Sequence, residues 1–178
     1  MMAEHVDLPK GKQTDLGLYL TANEAYAKWK ADPQRVKILD VRTPEEYIFV
    51  GHGEMAKNIP IGFVTHQWNS EKNEPVFEPN PDFISAAKRV FSADDTLLVT
   101  CRSGGRAALA INALAKAGFE HVYNIVDGME GDMVKDPENA DHGKRMKNGW
   151  KNSKLPWTYE VNSDLLWTST CEQKGPDA

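Results

Sequence analysis

Residues 95–117 read Asp95-Thr96-Leu97-Leu98-Val99-Thr100-Cys101-Arg102-Ser103-Gly104-Gly105-Arg106-Ala107-Ala108-Leu109-Ala110-Ile111-Asn112-Ala113-Leu114-Ala115-Lys116-Ala117. The first six residues are a β-rich run, and Ala107–Ala117 is a strong helix former closed by Gly118. Cys101 therefore sits where a strand turns into a helix. Backbone N–H groups at such a turn converge on one point and carry the positive end of the helix dipole, which favours a thiolate or an anionic ligand. The competing reading is a buried, inert cysteine. Two arginines and two glycines within the next five residues are poor core-packing residues, and they decide for a nucleophile.

Working outward, the same alternation repeats. Leu16–Leu20 reads as a short strand, and Thr21-Ala22-Asn23-Glu24 carries the capping-box pattern ahead of a helix over Ala22–Lys30. Val36–Asp40 is a compact strand, after which Thr43 caps a helical turn with Pro44 at its first position. Residues 66–81 read as loop, because Pro75, Pro79 and Pro81 limit regular structure. Asp82–Phe91 has the spacing of an amphipathic helix, and Glu120–Val126 reads as a further strand. Strands alternating with helices of this length predict an α/β fold with a largely parallel sheet. Ligands of such sheets bind beyond the carboxyl ends of the strands, where both Asp40 and Cys101 fall.

Composition narrows the function classes. The 178 residues are 40% hydrophobic and 26% charged, ordinary values for a globular protein. A net charge of −5 argues against a general nucleic-acid binder, and no apolar run approaches the length of a membrane span. The two cysteines form no disulfide framework. Cys171 reads as an incidental exposed thiol, with a resolving partner for Cys101 as the alternative. The five histidines lack zinc-ligand spacing, so neither a metal nor a cofactor is expected. The first residues lack the apolar segment of a secretory signal, which predicts a cytoplasmic protein, or a periplasmic one if a leader has been trimmed. Residues 1–14 are expected to be loosely held, 15–135 to form the domain, and 136–178 to pack on it. That last segment holds Trp150, Trp157 and Trp167, and large aromatics are scarce in disordered tails.

Several short pieces in order carry a family resemblance. They are Asp40-Val41-Arg42-Thr43-Pro44-Glu45-Glu46-Tyr47, Gly51-His52, Ala56-Lys57-Asn58-Ile59-Pro60, Cys101-Arg102-Ser103-Gly104-Gly105-Arg106 and Gly128-Met129-Glu130-Gly131. Together they resemble a single rhodanese homology domain over roughly residues 15–135. The resemblance implies a mostly parallel five-stranded central sheet flanked by helices. It also implies a sulfurtransferase that carries sulfane sulfur as a persulfide on Cys101. The donor would be a small sulfur-containing anion such as thiosulfate, and the acceptor cyanide, a small thiol or a protein thiol. In that reading Arg102, Ser103, Gly104, Gly105 and Arg106 bind the substrate and cradle the anion, while Asp40 and Arg42 support the loop. His52 is read as a structural hydrogen-bonding histidine.

The chain departs from the family pattern in two places. The segment commonly written Gly-His-Ile-Pro-Gly-Ala reads Gly51-His52-Gly53-Glu54-Met55-Ala56, and Asp127 and Asp132 stand where Gly and Trp are common. Two rival functions follow from the same residues. Cysteine-loop phosphatases and arsenate reductases place five residues between cysteine and arginine, whereas Cys101 and Arg106 enclose four, a spacing that favours a sulfur atom over a phosphate. A carrier module that delivers sulfur to a protein partner is the second rival.

Overall fold

The apolar runs of the chain become strands at the centre of the molecule, and the stretches between them become helices. The computed structural model describes residues 8–168. In chain order these form β1 (Tyr19–Leu20), α1 (Ala22–Ala31), β2 (Val36–Asp40), α2 (Pro44–Phe49), β3 (His52–Gly53), β4 (Lys57–Asn58), β5 (Gly62–Asn69) and β6 (Glu74–Pro79). There follow α3 (Phe83–Val90), β7 (Thr96–Thr100), α4 (Gly105–Lys116), β8 (Val122–Ile125) and β9 (Trp157–Thr158). The central sheet has five strands in the order β1-β8-β7-β2-β4, every pair parallel.

Period-two alternation sorts the strand residues onto two faces. Leu39, Leu97, Val99 and Val122 pack with α3 and α4 in one core cluster. Ile38, Leu98 and Ile125 pack with Ala22 and Ala25 of α1 and Tyr47 of α2 in the other. Both faces are covered, so the central strands send buried apolar residues to both sides rather than to one. Each fully buried leucine or isoleucine contributes about 1.5–3 kcal/mol. α1 and α2 both open with a complete capping box, Thr21 with Glu24 and Thr43 with Glu46.

The expected loop over 66–81 is not a loop. Residues 62–79 form an antiparallel hairpin of β5 and β6, with a register irregularity between Val64 and Trp68. The strand predicted over Leu16–Leu20 contracts to its last two residues. Residues 8–14, expected to be loosely held, contain a 3-10 turn at Lys10–Lys12. Lys12 Nζ donates to the Val126 carbonyl and to Asp132, both at 2.8 Å.

Beyond residue 135 the chain returns over the domain. Trp150 is only 2% exposed, meets Tyr26 edge-on at 5.8 Å and donates through its indole N–H to the Pro156 carbonyl. β9 pairs antiparallel with β3, and the Asn58 N–H donates to the Leu165 carbonyl at 2.8 Å. Trp167 packs against Phe63. Cys171 lies outside the described residues.

Candidate active site

β7 and β2 run in register at their carboxyl ends, Thr100 beside Asp40, and this places the residue after β7 at the sheet rim. That residue is Cys101, 1% exposed. Its sulfur accepts a hydrogen bond from the Gly104 N–H at 3.1 Å. Gly104 is the N-cap of α4, so this N–H lies at the positive end of the helix. Its φ of +96° is left-handed, and a Cβ there would lie 2.6 Å from the Val126 carbonyl oxygen. Gly105 differs: it opens α4, and a Cβ would meet nothing nearer than the Gly11 carbonyl at 3.7 Å. Of the two glycines expected to allow close approach, only Gly104 is required by the fold.

The turn after β8 fixes the same loop. The Met129 N–H donates to the Cys101 carbonyl at 2.8 Å, and the Glu130 and Gly131 N–H groups donate to the Arg102 carbonyl at 3.0 and 3.2 Å. A Cβ on Gly128 would lie 2.6 Å from the Cys101 carbonyl, so this approach also depends on glycine.

The two arginines of the loop have different surroundings. Arg102 is exposed, and its guanidinium has no hydrogen-bond or ion-pair partner among the described residues. Arg106 reaches Glu46 of α2 through two N–H···O bonds of 2.6 Å each, a bidentate pair. Burial alone would raise the Glu46 carboxyl, but the hydrogen bonds and charge of Arg106 outweigh it and hold the group below its ordinary value. Glu46 is also the capping residue of α2, accepting from the Thr43 N–H. One side chain thus joins the helix start to the cysteine loop. Sequence reasoning did not single out Glu46; the signal was there in the Thr43–Glu46 capping box.

Asp40 and Arg42 form a buried pair, with Nη2 donating to Oδ2 at 2.6 Å and Nε donating to the carboxylate at 3.0 and 3.1 Å. Nη2 also donates to the Gly51 carbonyl, while Nη1 is buried without a partner. Burial works against the charge of Arg42, and Asp40 more than offsets it, so the guanidinium stays cationic. Neither residue bonds the cysteine directly. His52 stacks on Tyr47 with ring centroids 3.5 Å apart and meets the Tyr47 carbonyl at 2.8 Å through Nδ1.

The two unusual aspartates attach the flanking segments. Asp127 accepts from the Ala22 N–H at the head of α1 and from the Gly149 N–H, at 2.8 and 3.1 Å. Burial pushes its carboxyl above the ordinary value despite these bonds. Asp132 receives Lys12 and Asn148, which hold it below the ordinary value against the effect of burial. Among the described residues, no three His, Cys, Asp or Glu side chains converge as a metal site requires, and no helix is long and apolar enough to cross a membrane.

Comparison with known proteins agrees with this geometry. The model of the rhodanese-like domain matches residues 21–133. An uncharacterised protein of Rickettsia prowazekii is 35% identical over 122 residues, covering 68% of this chain and 82% of its own length. Thiosulfate sulfurtransferase 16, chloroplastic, of Arabidopsis thaliana is 37% identical over 92 residues, 52% of this chain and 69% of its own. The crystal structure of Rv0390 from M. tuberculosis superposes with a TM-score of 0.61 at 25% identity, covering 79% of this chain and 96% of the other.

Proposed function

Since the chain belongs to the rhodanese-like domain family, we propose that it is a sulfurtransferase in which Cys101 takes sulfane sulfur from a small anion such as thiosulfate and passes it to a thiophilic acceptor. The observation that carries this reading is the 3.1 Å hydrogen bond from the Gly104 N–H to the Cys101 sulfur at the head of α4. It supports a negative charge on sulfur, and a persulfide needs the same support. In the first half-reaction the Cys101 thiolate attacks the outer sulfur of thiosulfate. The S–S bond of the donor breaks, its electron pair leaves with sulfite, and Cys101 holds a persulfide. In the second, the acceptor attacks the outer sulfur and the electron pair returns to Cys101. Arg102, its guanidinium exposed and without a partner among the described residues, is the side chain that receives the anionic donor.

The phosphatase reading is disfavoured by Arg106. Both of its terminal nitrogens bond Glu46, so it is not presented to a phosphoryl group as that chemistry needs. Turnover of thiosulfate with cyanide, measured for wild type and Cys101→Ser, tests the proposal. The serine variant is expected to lose at least about 100-fold, and mass spectrometry of wild type after thiosulfate should find one added sulfur on Cys101. Full activity in the serine variant, or phosphate-ester hydrolysis without sulfur transfer, would overturn it. Persulfide formation without turnover on any small acceptor would instead favour a carrier that hands sulfur to a protein thiol.

A further inference from the structure

Gly104 is held from behind by two segments of the chain that lie far from it in sequence. Asn124 of β8, wholly buried, donates through Nδ2 to the Gly104 carbonyl at 3.1 Å and to the Lys12 carbonyl at 2.9 Å. Two residues on, the Val126 carbonyl oxygen fills the space that a Cβ on Gly104 would need. That same oxygen accepts from Lys12 Nζ at 2.8 Å. Lys12 therefore meets both of the groups that back Gly104, one with its carbonyl and one with its ammonium. The turn that carries Lys12 also lies against the start of α4, where the Gly11 carbonyl is 3.7 Å from the position of a Cβ on Gly105. The Asp15 N–H then donates to Asn112 Oδ1 on the same helix at 2.9 Å.

The Lys12 side chain is 14% exposed and also gives a proton to Asp132 at 2.8 Å. Lysine is seldom covered unless it is paired, and fixing its long stem costs conformational entropy. What it holds is the one residue of the loop that could most easily turn. Glycine crosses freely between conformations, and a rotation at Gly104 would swing its N–H away from the sulfur. The Gly104 carbonyl accepts from the Ala108 N–H of α4 at 3.2 Å as well as from Asn124, so the peptide plane after Gly104 is fixed twice. With that plane and the Cα both held, the plane before Gly104 keeps its N–H on Cys101. A donor supports charge on sulfur only while it stays aimed.

We propose that Lys12 and Asn124 are positioning residues of the cysteine loop, which lock Gly104 in its left-handed conformation so that its N–H stays on the Cys101 sulfur. Each acts through Gly104 rather than on the sulfur itself. The site thereby extends to the turn at Lys10–Lys12, ahead of the 21–133 span that matches the family. The kinetic consequence rests on the sulfurtransferase reading, whereas the hold on Gly104 is a property of the fold and is measurable without it.

Lys12→Met keeps the apolar stem and removes the ammonium. In hydrogen exchange followed by NMR, its Gly104 amide should exchange at least about tenfold faster than in wild type, while the Leu98 and Val99 amides of β7 stay within about twofold. In single-turnover mass spectrometry with thiosulfate, the maximal rate of sulfur addition to Cys101 should fall about tenfold. The thiosulfate concentration giving half that rate should stay within about twofold, because the donor meets Arg102 and not Lys12. Lys12→Arg, which restores a cationic donor, should recover most of both losses, and Asn124→Ala should move both readouts further than Lys12→Met. Lys10→Met, an exposed neighbour in the same turn, should match wild type. Gly104 exchange in Lys12→Met within about twofold of wild type overturns the proposal. So does faster exchange shared equally by Leu98 and Val99, which would be a general loosening. Where wild type takes up sulfur, a change in one readout without the other also overturns it, since Lys12 would then act through its charge or not at all. If wild-type Cys101 takes no sulfur while Gly104 exchange responds as stated, the hold on Gly104 stands and the sulfurtransferase reading falls.

Discussion

At the scale of single residues, the cysteine loop separates two glycines that look equivalent in sequence. Gly104 holds a left-handed φ with the Val126 carbonyl close behind it, and its N–H is the one that meets the sulfur. Gly104→Ala is expected to cost about 1–3 kcal/mol in chemical denaturation and to abolish persulfide formation on Cys101. Gly105, at the start of α4, has room for a Cβ, which would make only an ordinary contact with the Gly11 carbonyl at 3.7 Å, so Gly105→Ala should keep or raise stability, by up to about 1 kcal/mol. A destabilised Gly105→Ala protein would contradict this account. The loop's position at a strand end was legible in residues 95–117, because propensity and spacing there agree. Which glycine does the work was not, since φ and the approach of Val126 come from packing with β8.

At the scale of elements, the decisive link is between α2 and α4. Glu46 caps the first and receives Arg106 from the second, so the capping box and the cysteine loop share one carboxylate. The folded-state pKa of Glu46 lies below its ordinary value of 4.5. The pair therefore contributes its full stability above that ordinary value, and the contribution is lost as pH falls through the lower folded value. Glu46→Gln should cost about 1–2 kcal/mol at neutral pH, and the gap between wild type and variant should close under acid. A gap independent of pH down to the acid transition would exclude the carboxylate as its source. The capping box itself was readable from Thr43, Pro44 and Glu46. The partner sixty residues away was not, because nothing local in α2 specifies it. The β5–β6 hairpin was missed for a different reason: Pro75 and Pro79 read as breakers. β6 has a strand partner on one side only, which leaves room for residues without an N–H.

At the scale of the whole molecule, the matched domain is tied to the segments on either side of it. Asp127 and Asp132, the departures from the family pattern, are the attachment points: one takes the Gly149 N–H and the other takes Lys12 and Asn148. Trp150 then buries itself against Tyr26 in the second core cluster. Trp150→Ala should therefore cost about 3–5 kcal/mol in denaturant unfolding, as expected for a core tryptophan, and a change below about 1 kcal/mol would show that the extension only lies on the surface. The aromatic content of this segment was visible in the sequence, whereas its route was not, since that depends on contacts with β3 and β4. The route has a consequence for how the protein keeps to itself. β4 ends the central sheet, and the Leu165 carbonyl takes the N–H of Asn58. Cutting the chain at residue 160 would leave the Asn58 N–H on that rim without its acceptor, open to another copy's strand. Light scattering of the shortened protein should rise with concentration while the full chain stays clear; the turn that carries Leu165 would then be a guard against aggregation.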